Sequence, residues 1–210
     1  IVVATGSRPI TPPFANLPVW TSDDLFPLES VPPPRLLVVG GGFIGCEMAA
    51  FFAGVGTETQ LFARGGRLLG REDGEIEAVF QKEFAKEVAT HFEARLKDLS
   101  HDGTEFTATF EIRGQSEVFQ ADRILFAIGR QPNTGTLALD KTGLQANERG
   151  FLPVNDELET SVPGIFATGD VNGRHMLQHA ASYEVFYLRQ KLLDRKSTRL
   201  NSSHDQNPYA

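Results

Sequence analysis

Six residues, Gly40-Gly41-Gly42-Phe43-Ile44-Gly45, have the types and spacing to hold a diphosphate. Gly40 permits a tight strand-to-helix turn, Gly42 lets the backbone approach the phosphates, and Gly45 lets the following helix pack against the strand. The diphosphate would rest on the helix N-terminus, where unpaired N–H groups and about half a positive charge await it. Phe43 and Ile44, in the first turn, belong with the glycines as contacts. A lone G-x-G-x-x-G is a weak signal, since a packing turn without ligand can show it. Here an apolar strand, Leu36-Leu37-Val38-Val39, leads in, and a helical stretch, Phe43 to Val55, leads out. That context favours binding of a dinucleotide.

The second strand of such a unit ends in Asp or Glu when the ligand is NAD, because the carboxylate accepts from the ribose 2′-hydroxyl. Here the position is Ala63, followed by Arg64, with Arg67 and Arg71 close behind. Guanidinium groups would grip a 2′-phosphate, at roughly 1.5–3 kcal/mol per charge-assisted hydrogen bond. The alternative is a solvated basic face. NADP is the expected nucleotide, with NAD possible.

Two further signatures flank the glycine turn: Ala4-Thr5-Gly6 near the start and Ala167-Thr168-Gly169-Asp170 downstream. Their order points to an α/β fold in which a Rossmann-like NAD(P)-binding domain is inserted into a split, incomplete FAD-binding domain. Cys46, the single cysteine, excludes an intrachain disulfide and is expected to be a small buried hydrophobe. His175 and His179 are four apart, a metal-ligand spacing, but no glutamate follows the first and no third ligand is evident, so no metal is expected. Phe43, Phe51 and Phe52 are expected to pack the first helix on its sheet, and Tyr183 and Tyr187 to lie in the core.

The elements that must position these residues follow from periodicity. Residues 1 to 14 read as the end of a first FAD-domain segment, and 15 to 34 as a proline-rich connector with one helical turn at Ser22 to Phe26. Residues 35 to 131 read as the NAD(P)-binding domain. There Thr59 to Ala63 returns as a strand, and Asp73 to Glu87 forms a helix with Ile76, Val79, Phe80 and Phe84 on one stripe. Phe92 to Leu96 and Phe106 to Phe110 alternate around the hairpin signal Asp102-Gly103, and Arg123 to Ile128 closes the domain. Residues 132 to 193 read as a second FAD-domain segment, with strands at Phe151-Leu152 and Ile165 to Ala167 and a helix from about Met176.

The ends are unlike the body. Ile1-Val2-Val3 already reads as a buried strand, so the chain is expected to be an internal piece of a longer protein. Residues 194 to 210 are polar and patternless and are read as a non-native or disordered tail. With 210 residues, 40% of them hydrophobic, the chain can bury a core. A net charge of −7 argues against nucleic acid as a partner. No apolar run reaches the ~18 residues needed to span a bilayer.

Five motifs in order now carry a resemblance: Ala4-Thr5-Gly6-Ser7-Arg8-Pro9, Gly40 through Glu47, Arg64 to Asp73, Ala127-Ile128-Gly129-Arg130-Gln131-Pro132-Asn133-Thr134, and Ala167-Thr168-Gly169-Asp170. The chain resembles the middle of a class I pyridine nucleotide–disulfide oxidoreductase, the group containing dihydrolipoamide dehydrogenase, glutathione reductase and mercuric reductase. The resemblance implies that Asp170 bonds the ribityl or pyrophosphate part of FAD. It also implies that the backbone of Met176, Leu177 and Gln178 faces the flavin pyrimidine edge. Ala4, Thr5 and Gly6 would end the first flavin segment, with Gly169 in the second. Ile128, Gly129 and Arg130 would mark a return crossover near both cofactors. Glu47 matches a glutamate near nicotinamide and flavin; the other reading is a helix-N-terminal acid favoured by the dipole.

The resemblance places a redox pair of cysteines, spaced by four residues, and a first flavin-binding glycine turn before Ile1. It places an interface domain with a His–Glu pair beyond the last helix. No catalytic residue is therefore expected within the chain itself, which alone would be inactive. The intact protein is expected to be a cytoplasmic homodimer that passes hydride from NADPH to FAD and then electrons to a small-molecule or protein disulfide. The alternatives are a flavin reductase without a cysteine pair, acting on ferredoxin, quinone or oxygen, and an inert nucleotide-binding fragment.

Overall fold

The computed structural model describes residues 1–27, 31–70 and 72–194. Arg71 and residues 195–210 of the expected tail lie outside the described residues. In chain order the elements are β1 (Val2–Val3), β2 (Ser7–Pro9), β3 (Arg35–Val39), α1 (Phe43–Gly54), β4 (Glu58–Phe62), α2 (Gly74–Phe84) and β5 (Ala89–His91). There follow β6 (Ala94–His101), β7 (Phe106–Ile112), β8 (Gln115–Ala121), β9 (Arg123–Phe126), β10 (Arg130–Pro132), β11 (Phe166–Ala167) and α3 (Gln178–Asp194). The chain forms two units, Pro9–Gly129 and a second made of Ile1–Arg8 with Arg130–Ala210.

The unit Pro9–Gly129 is built on a parallel sheet with strand order β5-β4-β3-β9. Leu36 and Val38 of β3 share a core with Leu61, Ala63, Cys46, Ala49 and Phe52, and with Phe84 of α2. Leu37 enters a second core with Phe62, Ile124 and Phe126 and with Leu99, Phe106, Ala108 and Phe110 of the antiparallel meander β6-β7-β8. Both faces are covered, so β3 reads as an unbroken apolar run rather than an alternation. Complete burial of Leu36 and Leu37 contributes about 1.5–3 kcal/mol each. The meander's first turn is the expected one: Asp102 Oδ1 accepts from the amides of Thr104 and Glu105 at 2.8 and 2.9 Å.

In the second unit β1 pairs in parallel with β11, Val2 opposite Phe166 and Val3 opposite Ala167, and β2 pairs with β10. Tyr187 and Leu188 of α3 pack on Leu158 and Phe166. Among the described residues no helix is long and apolar enough to cross a membrane.

Five expectations are corrected. Val2–Val3 forms a strand, but Ile1 and Val2 are exposed rather than buried. The stripe on α2 is narrower than its period suggests: Phe80 and Phe84 stack at 5.3 Å, whereas Ile76 and Val79 are exposed and Glu77 is buried. Glu77 turns inward because its Oε2 meets Nη1 of Arg67 at 3.1 Å. On α1 the buried row is Gly45, Cys46, Ala49 and Phe52. Phe51 lies one residue, about 100°, off that row, and both it and Phe43 are exposed. Tyr183 is likewise exposed, the inward place going to its neighbour Glu184, while Tyr187 is buried. Phe151 and Leu152 are buried but form no strand. Instead the Phe151 amide donates to Asn147 Oδ1 at 3.0 Å and the Leu152 amide to the Val171 carbonyl at 2.9 Å, which closes a loop.

Candidate functional site

The chain leaves β3 through α1 toward β4 on one side, and β9 lies on the other side of β3. The carboxyl ends of β3 and β9 are thus a topological switch point, where open α/β sheets bind ligands. Gly40 sits there. Its φ is +131°, and a Cβ on it would come 2.2 Å from the carbonyl oxygen of Ala127. Its N–H donates to the Phe62 carbonyl at 2.9 Å, and the Ala127 N–H to the Val39 carbonyl at 2.8 Å. A Cβ on Gly45 would lie 1.9 Å from the Gly40 carbonyl oxygen, so α1 can begin this close to the strand only on glycine.

Gly42 differs from the others. It is the N-cap of α1, without a side-chain cap, and a Cβ there would meet nothing within 4 Å. Open space lies beside Gly42, and among the described residues no side chain caps the first amides of α1, at Phe43 and Ile44. This is the shape and polarity a diphosphate requires. Gly41, which carries no role in the motif, is also constrained: a Cβ on it would press to 2.9 Å from that of Ala63. Packing of the turn against β4, invisible in the spacing, causes this.

Ala63 is buried at the end of β4, and Arg64 after it is exposed. No other described residue engages the Arg64 side chain in a hydrogen bond or ion pair. Arg67 is engaged by Glu77. The loop carrying both is pinned by the Leu69 amide on the Gly41 carbonyl at 2.9 Å and by the Leu68 amide on Gln81 Oε1 at 3.4 Å. Glu47 is exposed in the second turn of α1, beyond the first turn where the dipole acts, so the N-terminal-acid reading of it does not hold. Cys46 beside it is buried, and desolvation followed by the charge of Glu47 pushes its thiol up to about 11.

In the other unit Ser7 gathers the expected residues. Ser7 Oγ donates to Asp170 Oδ2 at 2.5 Å and accepts from Arg130 Nε at 2.7 Å. Arg130 Nη2 also donates to the Ser7 carbonyl at 2.9 Å, and its Nε is 3.8 Å from Asp170 Oδ2. Ala4 and Thr5 follow β1, and Gly6 turns with φ +68°. Asn133 holds that turn, its amide on the Gly6 carbonyl and its Nδ2 on the Thr5 carbonyl, both at 2.9 Å. Gly169, with φ +71°, opens the single 3-10 turn Gly169–Asn172 that presents Asp170. Met176 and Leu177 precede α3, which begins at Gln178, and the Leu177 carbonyl accepts from Ala181 at 3.0 Å. Ile128 and Gly129 end the first unit, where the Gly129 carbonyl accepts from the Ile10 amide at 3.0 Å.

Motif reading missed Glu184. Its buried Oε2 accepts from Gly169 N at 2.7 Å, Asn172 Nδ2 at 2.9 Å and Thr168 Oγ1 at 3.2 Å. The signal available in the chain was only an acid between Tyr183 and Val185. A concavity of about 450 Å³ between α2 and β5, lined by Ala78, Gln81, Lys82 and Phe92, contains no residue of the glycine turn. Lys82 is the one charged residue among those that line it. Among the described residues no group of three His, Cys, Asp or Glu comes together as metal ligands.

Comparison with known proteins identifies the family. The family model for pyridine nucleotide-disulphide oxidoreductases matches residues 1–184. The chain is 36% identical over 189 residues to dihydrolipoyl dehydrogenase of Geobacillus stearothermophilus, covering 87% of this chain and 39% of that protein. It is 33% identical over 187 residues to dihydrolipoyl dehydrogenase of Bacillus subtilis (strain 168), covering 87% and 40%. The HOCl-induced flavoprotein disulfide reductase RclA from Escherichia coli is similar in structure. In its Cu(II) complex the TM-score is 0.80 at 28% identity, covering 91% of this chain and 44% of that one. The chain thus spans about two fifths of the length of the curated relatives it matches. With an α/β, Rossmann-like fold, a glycine turn at the switch point and a family match over most of its length, the chain belongs to the pyridine nucleotide-disulphide oxidoreductases.

Proposed function

We propose that this chain holds a pyridine nucleotide on the Gly40 turn and part of FAD around Ser7, Asp170 and the start of α3. The intact protein would transfer hydride from NADPH to FAD and electrons onward to a disulfide or related sulfur acceptor. When bound, the flavin supplies the step between a two-electron hydride donor and a thiol–disulfide couple. The amides of Phe43 and Ile44 answer the diphosphate charge, and Gly42 keeps the approach clear. Arg64 offers a guanidinium, unengaged by any other described residue, where a carboxylate would select NAD. Asp170 offers an acceptor held in place by Ser7. The amides that open α3 favour negative charge at the flavin edge. By family analogy we expect a cytoplasmic homodimer acting on a small-molecule or protein disulfide.

The observation that carries this reading is the open N-terminus of α1 at the switch point between β3 and β9. Titration with NADPH and with NADH, followed by calorimetry and by melting temperature, tests it. A dinucleotide that binds only the folded chain raises the melting temperature with concentration. Arg64→Ala should weaken NADPH by roughly tenfold to a hundredfold, the loss of one charge-assisted bond, and leave NADH unchanged. No heat and no shift with either dinucleotide would remove the nucleotide-binding reading. Binding with unchanged selectivity would remove only the NADPH preference.

A further inference from the structure

We propose that Glu184 is a positioning residue that locks the Asp170 turn and the start of α3 into one register, and so sets flavin affinity. The inference rests on the flavin reading of those two elements. The single turn Gly169–Asn172 has left-handed glycines at both ends, Gly169 at φ +71° and Gly173 at φ +73°, and its N-cap Thr168 makes no side-chain cap bond. An uncapped one-turn helix has nothing of its own to hold its first amide. Glu184 supplies what is missing. Its Oε2 takes the Gly169 amide, the Thr168 hydroxyl and the Asn172 side-chain amide, so both the start and the end of the turn converge on one atom. Asn172 in turn accepts the Arg174 amide at 2.9 Å through Oδ1, which extends the bracket along the segment toward α3.

Glu184, Thr168 and Asn172 are all buried, so water cannot replace the acceptor if it is removed. α3 also lies directly on the turn: a Cβ on Gly169 would meet that of Ala181 at 3.4 Å. Glu184 therefore fixes Asp170, the residue next to its amide contact, relative to Leu177 and Gln178 at the mouth of the same helix. Lys191 provides a contrast on that helix. It ties α3 to Glu157 at 2.7 Å without touching the turn.

The test uses the intact protein, stripped of flavin and titrated with FAD, with apoprotein melting temperature and visible circular dichroism of the bound flavin recorded alongside. Glu184→Leu removes the acceptor, Glu184→Gln keeps an amide oxygen in its place, and Lys191→Met loosens α3 elsewhere. Expected are a loss of FAD affinity of roughly tenfold or more in Glu184→Leu, since buried donors left unmet are costly, together with an altered flavin dichroism. Substantial rescue is expected in Glu184→Gln, and near-normal FAD affinity in Lys191→Met whatever its melting temperature. Equal losses of affinity in Glu184→Leu and Lys191→Met, in proportion to melting temperature, would overturn the proposal. So would normal FAD affinity in Glu184→Leu while Asp170→Ala loses it. If Asp170→Ala itself leaves FAD affinity intact, the flavin reading of the turn fails, and this inference with it.

Discussion

Arg67 Nη1 lies 3.1 Å from Oε2 of Glu77, an exposed guanidinium held by a carboxylate that is only 5% exposed. The pair takes Arg67 out of competition for a ligand phosphate and leaves Arg64 as the unengaged cation of the described loop. Arg67→Ala should therefore change NADPH selectivity far less than Arg64→Ala. It should instead lower the melting temperature, because it strands a buried carboxylate, a change that costs on the order of 3–5 kcal/mol when complete. Glu77→Leu, which removes the buried charge as well, should be better tolerated. Thermal melts of the three variants, beside NADPH and NADH titrations, give the comparison. An Arg67→Ala protein that melts normally and loses NADPH would reverse the assignment of the two arginines.

The glycines of the turn should separate into two kinds. Gly45→Ala drives a methyl into the Gly40 carbonyl and should destabilise the chain by about 1–3 kcal/mol or more, losing binding through loss of fold. Gly42→Ala meets no protein atom within 4 Å. It should cost only the roughly 0.5–2 kcal/mol of a poorer N-cap, yet obstruct the dinucleotide. Chemical denaturation and NADPH calorimetry on the two variants distinguish the cases. Equal effects on stability and binding in both would count against the diphosphate position.

Cys46 should be silent toward thiol reagents in the folded chain. Its burial and the charge of Glu47 raise the thiol to about 11, so at pH 8 almost none is thiolate. A group whose folded value is raised keeps its stabilising contribution below the unfolded value and loses it as pH climbs through about 11. Alkylation by iodoacetamide at pH 8 should become fast only on adding denaturant. Rapid native labelling would contradict the buried placement.

Acid should loosen the packing between the sheet and the meander. His91 stacks on Phe62 at 4.6 Å, meets Phe119 edge-on at 5.0 Å and bonds Gln60 through Nε2 at 2.9 Å. Burial lowers its pKa, with Glu117 opposing in part. A histidine with a lowered folded value is stabilising above its unfolded value, near 6.5, and that contribution is lost as pH falls through the folded value. Denaturation midpoints measured from pH 7.5 downward should decline in the wild type and decline less in His91→Gln. Parallel curves would exclude His91 as the cause.

The parts legible in the chain were those whose physics is local. Leu36 to Val39 followed by a glycine turn announces a strand covered on both faces and a helix entered at its N-terminus, and the fold holds both. The failures come from contacts remote in sequence. Glu77 displaced Ile76 and Val79 from the interior because of Arg67, ten residues away across a loop. Phe151-Leu152 has strand composition but found Val171 and Asn147 instead of a ladder. Glu184 gives no periodic signal at all: its partners lie twelve to sixteen residues back, and only the folded chain shows three donors aimed at one oxygen.

The split of the second unit bears on the order in which the chain can assemble. Val2 must find Phe166 across more than 160 intervening residues, an improbable closure for an unfolded polymer, whose ends meet more rarely as the loop lengthens. The Ile10 amide on the Gly129 carbonyl cinches the base of everything between them. Once that knot is tied, the loop to be closed shrinks to a short N-terminal arm and the stretch from Arg130 to Phe166. Early maturation of the inserted lobe is then a kinetic precondition for its host, and a lesion that slows the lobe should delay acquisition of the yellow cofactor as well.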